Sequence, residues 1–98
     1  MSTNSVCLAT LFLSNNTKKT FAKLSEILEN FEIDDPNVSH ERMAEVNLDG
    51  HSYDEILDGL IRPVLSILDM DKQSSVFFRS SDGRVATFYM KKGELLVA

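Results

Sequence analysis

Val76-Phe77-Phe78-Arg79, followed by Ser81-Asp82-Gly83 and then Val85-Ala86-Thr87-Phe88-Tyr89-Met90, is the stretch on which the fold turns. Both apolar runs are rich in β-branched and aromatic residues, and an Asp-Gly pair lies between them, so they read as two strands of a hairpin. In a strand, successive side chains point to opposite faces. Phe77 and Phe78 therefore address different sides of the sheet. In the second strand Val85, Thr87 and Tyr89 share one side, and Ala86, Phe88 and Met90 the other. A third short strand, Leu95 to Ala98, follows the turn Lys91-Lys92-Gly93-Glu94.

Upstream, the patterns alternate in type. Val6 to Leu13 is nearly continuous in apolar residues and reads as a central strand buried on both faces. From Lys18 to about Glu32 the apolar residues Phe21, Leu24, Ile27, Leu28 and Phe31 recur every three or four positions, the stripe of a helix packed on one side. After the turn cluster Asp34-Asp35-Pro36-Asn37, Arg42, Ala44, Val46 and Leu48 alternate with Met43, Glu45, Asn47 and Asp49. That pattern fits a strand with one wet face, although Glu41 to Val46 would also suit a short helix.

Ser52-Tyr53-Asp54-Glu55 is a capping box, in which Ser52 accepts from the amide of Glu55 and the Glu55 carboxylate reaches back. It opens a second helix carrying Ile56, Leu57, Leu60, Ile61, Val64, Leu65 and Leu68 in phase. Pro63 removes a donor and clashes with the carbonyl of Gly59, which predicts one bent helix. Gly59 offers room for close helix packing.

The order β-α-β-α-β-β-β over residues 1–98 predicts a single α+β domain. Its simplest arrangement is a two-layer sandwich, a mixed or antiparallel sheet with two helices on one face. One of the paired phenylalanines then faces away from the helices and needs cover from a second copy or a protein partner. The alternative sends the first helix across to the second face.

Composition narrows the function classes. The chain is 43% hydrophobic and 26% charged, which excludes disorder, and its net charge of −5 disfavours a nucleic-acid backbone or an anionic membrane as partner. The single cysteine, Cys7, forms no internal disulfide and predicts a reducing, cytoplasmic setting. The apolar run at its position is too short to span a bilayer.

The search for chemistry returns little. His40, Glu41, Asp49, His51 and Asp54 lack the spacing of a zinc motif. Asp69-Met70-Asp71 lacks the further ligands of a calcium loop, and is either a partner-facing acidic knob or a fraying helix end. No nucleophile elbow or phosphate-binding glycine loop occurs. Phe77, Phe78, Arg79, Arg84, Phe88, Tyr89, Lys91 and Lys92 mix aromatic and basic residues in the manner of an RNA-binding sheet, but packing explains the aromatics more simply.

The expectation is accordingly a protein without catalytic, metal or cofactor site, acting by docking to a protein partner or as a homodimer, in the manner of small regulators, inhibitors or immunity-type proteins. Phe77, Phe78, Tyr89, Arg79, Asp69 and Asp71 are its candidate contact residues. The competing readings are a nucleic-acid mimic that blocks a nucleic-acid-binding protein, and a small enzyme or ligand carrier with a site beside the bent second helix.

Overall fold

The computed structural model describes residues 5–15, 17–33, 38–39 and 41–98. Five strands, β1 (Val6–Phe12), β2 (Met43–Asp49), β3 (Ser74–Arg79), β4 (Val85–Lys91) and β5 (Glu94–Val97), form one sheet in the order β2-β1-β3-β4-β5. Every neighbouring pair is antiparallel. β2 and β3 both run against β1, so they are parallel to each other across it. The second helical run makes that crossover, since a parallel connection needs a dozen or more residues.

The predicted element order holds, and the fold is an α+β sandwich. Both helices lie on the same face. The first helix (Thr17–Glu29) contacts the second helical run along several of its turns, so it does not cross to the far side.

The core lies between the helices and alternate residues of the strands. Leu48, Cys7 and Phe78 form one cross-strand row and Val46, Ala9, Val76 and Phe88 the next, all buried. The two-sided burial expected for β1 does not occur. Cys7, Ala9 and Leu11 are buried, but Leu8 is 47% exposed.

The helical stripe is also rotated from its expected position. Thr20 is buried with Leu24, Ile27, Leu28 and Phe31, whereas Phe21 is 37% exposed. The Thr20 hydroxyl meets that of Ser14 at 2.9 Å, which satisfies both where the chain leaves β1. A polar residue therefore occupies the inward position of the first turn, and Phe21, one residue round the helix, is turned out.

The second helical run (53–67) begins as predicted. Ser52 adopts an extended backbone, and its hydroxyl accepts from the Glu55 amide at 3.2 Å. The effect of Pro63 takes a particular form. Residues Leu57–Ile61 make a wide π-helical turn, with the Arg62 amide donating to the Leu57 carbonyl. The widened turn ends just before the proline, where the ordinary pattern would press the ring against the Gly59 carbonyl.

The run closes in a tight turn, Leu65–Ile67, and Leu68 is already extended. The predicted helix end at Leu68 is thus one residue too long. Leu68 instead bridges Leu13, and the next amide, Asp69, donates to the Phe12 carbonyl at 2.8 Å.

The two hairpins differ in their turns. Lys92 and Gly93 both have positive φ, 55° and 75°, so β4 and β5 join by a two-residue turn whose twist matches the sheet. The β3–β4 connection is longer than its Asp-Gly signature suggests and spans 80–84. There Gly83 takes φ 92°, and the Asp82 carboxylate accepts from the Arg84 amide at 3.1 Å. The Ser80 hydroxyl, followed by that amide, holds the Asp82 carboxyl below its ordinary range.

Cys7 is fully buried. Burial first, and the Asp49 charge second, push its thiol from the ordinary 9.0 to about 12. The folded chain is therefore expected to ignore a thiol reagent at neutral pH and to react once unfolded. The same shift sets a pH dependence. From pH 9 towards 12 the unfolded thiol has lost its proton while the folded one keeps it, so stability is complete below 9 and declines as pH rises. Urea melts at pH 8 and pH 10.5 should show a smaller alkaline loss for Cys7→Ala than for the natural chain. An equal loss would place the titration elsewhere.

Candidate interaction surface

The residues of each strand that do not enter the core form the opposite face of the sheet, and among the described residues no helix covers it. Cross-strand register arranges them in rows. Asp49, Val6, Arg79 and Val85 form one, and Asn47, Leu8, Phe77 and Thr87 the next. Glu45, Thr10, Ser75, Tyr89 and Leu96 form the third. Beyond it lie Met43 with Phe12 on one side and Lys91 with Glu94 on the other.

The middle of this face is apolar. Leu8 and Phe77 stand directly opposite each other on the adjacent interior strands β1 and β3, and they are 47% and 36% exposed. Val85 and Leu96 extend the patch and are more open still. Isolated exposed apolar residues are common on soluble proteins; a contiguous set on one sheet face is not. Charges ring the patch. Glu45 and Asp49 lie on the β2 side, Arg79 and Lys91 on the β3–β4 side, and Glu94 beside Lys91 on β5, all exposed.

The six expected contact residues separate into three groups. Phe77, Tyr89 and Arg79 lie on the open face, Tyr89 half-buried there. Phe78 does not. It is 3% exposed and packs in the core with its ring 5.9 Å from that of Tyr53. The alternation of the strand forces this, because only one of two adjacent phenylalanines can face away from the helices.

Asp69 and Asp71 lie apart, in the loop that follows the second helical run. The Asp69 carboxylate accepts from the Asp71 amide at 2.9 Å, which makes an ordered turn rather than a frayed helix end. Leu8 joins the open face although the continuous apolar run around it predicts burial on both sides.

The mixed aromatic and basic set also divides. Phe78 and Phe88 are core residues, while Phe77 and Tyr89 face out with Arg79 and Lys91. Hollows among the described residues open on the helix side, and two of them flank the start of the second helical run. One lies between Tyr53, the β3–β4 loop and Ala86. The other is shallow and acidic, lined by Phe31, His51, Asp54, Glu55 and Asp58.

In the acidic hollow the His51 Nδ1 is 3.0 Å from the Glu55 carboxylate, and the ring stands edge-on to Phe31. That hydrogen bond first, then the Ser52 hydroxyl and backbone, draw the Glu55 carboxyl below its ordinary 4.5. The pair braces the start of the helix, a structural role. Among the described residues, no three His, Cys, Asp or Glu side chains are placed to hold one metal ion, and His40 lies outside them. No helix among them is long and apolar enough to cross a membrane. No family model matches the sequence, and no curated protein or solved structure matches it either.

Proposed function

We propose that this chain is a non-catalytic protein-binding module that docks through the open face of its sheet. One observation carries the reading: Leu8 and Phe77 sit side by side, partly exposed, on the neighbouring interior strands β1 and β3. Each is already partly buried, so covering the exposed remainder against a partner is worth about 0.5–1.5 kcal/mol per side chain. An apolar centre with a charged rim is the anatomy of an interface whose centre supplies affinity and whose edge supplies orientation. The acidic balance of the chain favours encounter with a basic surface. The single thiol, buried in the core, asks for no oxidising compartment and supports a cytoplasmic setting.

Light scattering on the purified chain, and on the tagged chain in a native extract, tests this reading. A mass above the 11.0 kDa of one chain is expected in at least one setting. The pair Leu8→Lys and Phe77→Ser should return it to monomer mass with an unchanged far-UV spectrum. Monomer mass for the natural chain in both settings would remove the reading.

A further inference from the structure

Among the described residues, one of the two edge strands is partly covered and the other is not. Along β2, Val38 bridges Ala44 and the Ser39 amide donates to the Met43 carbonyl at 3.0 Å, so a stretch of chain lies against its outer side. No described residue pairs with the outer side of β5. The hydrogen bonding of that strand follows from its register. Thr87 and Ala98 exchange both main-chain bonds, at 2.9 and 3.4 Å. Bonded and unbonded pairs alternate along an antiparallel ladder. Leu96 with Tyr89 and Glu94 with Lys91 are therefore bonded pairs as well, and the amides and carbonyls of Leu95 and Val97 point away from the sheet.

Natural sheet edges are blunted by lysine, proline or a bulge. β5 has a regular register, one charge at its first residue, and no proline. Leu96 and Val97 are 63% and 58% exposed, on opposite faces of the sheet. At the turn the apolar strip continues to the exposed Met70, whose Cε lies 3.5 Å from where a β-carbon on Gly93 would stand.

We infer that the outer edge of β5 takes an extended peptide segment of another protein as a sixth strand of the sheet, held by the main chain of Leu95 and Val97 and covering Leu96 on one face and Leu95 and Val97 on the other. The unpaired groups name the ligand class, because another extended backbone offers amides and carbonyls at the spacing of a strand. The β5 of a second copy offers only four residues, whereas a free segment can run on past the turn to Met70. This edge is a different surface from the open face, and the inference stands without the docking role proposed for that face. The ladder is short, so an affinity of roughly 0.1–1 mM is expected, too weak to hold a complex in dilute extract by itself.

Amide exchange measured by NMR on the full chain tests the inference, with a short capped peptide that alternates valine and threonine between terminal lysines as the probe. In the free chain the Leu95 and Val97 amides should exchange fast and the Leu96 amide slowly. With peptide at ten times its dissociation constant, the first two should slow by about tenfold and Leu96 should hardly change. Val97→Pro removes an outward amide without breaking a bond of the ladder, a substitution that edge strands tolerate. It should weaken peptide binding by about tenfold or more with an unchanged far-UV spectrum, whereas Val97→Thr, which keeps the amide, should bind as the natural chain does. Leu8→Lys should also bind normally, which separates this edge from the open face. The same peptide with its central amides N-methylated should not bind, and that result decides the matter if Val97→Pro fails to fold.

Exchange at Leu95 and Val97 that the peptide leaves unchanged would overturn the inference, as would equal binding of the N-methylated peptide. Slow exchange of both amides without peptide would overturn it too. If that slowing grows with protein concentration, the occupant is a second copy; if it does not, the chain covers its own edge.

Discussion

Phe88→Ala is expected to bring this protein to the edge of unfolding. Phe88 is completely buried at the centre of the core-facing side of β4, between Ala86 and Met90 along the strand and beside Val76 on β3. Its ring lies 5.6 Å from that of Tyr53, at the start of the second helical run, so it joins the sheet to the helical layer. Truncation removes the buried ring and leaves a cavity between two layers that can collapse only in part, a loss of about 3–5 kcal/mol. A domain of this size has about 5–15 kcal/mol in total.

Taking a urea slope near 1.5 kcal/mol/M, the unfolding midpoint should fall by roughly 2–3 M. Phe77→Ala, at the adjacent position, serves as the control. It removes the same atoms from an exposed site and should move the purified monomer far less. Equal losses at both positions would mean that the assignment of faces is wrong.

Gly59→Val is expected to cost about 1–3 kcal/mol, for a reason that belongs to one contact. A β-carbon at Gly59 would lie 2.9 Å from the Phe31 ring tip, closer than real contacts allow. Phe31 follows the first helix and is held edge-on against His51, so the ring has limited freedom to retreat. Helix propensity acts in the opposite direction, since valine is better than glycine in a helix by a few tenths of a kcal/mol.

In a Phe31→Ala background the obstruction is gone, and Gly59→Val should become neutral or slightly stabilising. Urea melts of the two single variants and the double variant measure that coupling directly. A cost that persists in full without the ring would show that the glycine serves the wide turn itself rather than the contact between helices.

The pattern of right and wrong expectations has a physical basis. Alternation was enough to place Ala44, Val46 and Leu48 inward on β2 and to separate Phe77 from Phe78, because the strand period of two is a local property. The Ser52 cap and the Lys92-Gly93 turn were legible because each depends on a few neighbouring residues. Leu8 was not, since a continuous apolar run has the same appearance whether it is covered on one face or two. The outward rotation of Phe21 depended on a hydroxyl pair, Ser14 with Thr20, that forms only once the helix has docked.

Sequence alone determined that there would be five strands and two helical segments in this order, because side-chain periodicity and turn chemistry act over a few residues. Only the tertiary structure decided that β1 would pair between β2 and β3 and that both helices would lie on the same face. Those choices depend on contacts between residues far apart in the chain. The open apolar face is the consequence of the second choice: two helices cover one side of a five-stranded sheet, and among the described residues no further element covers the other.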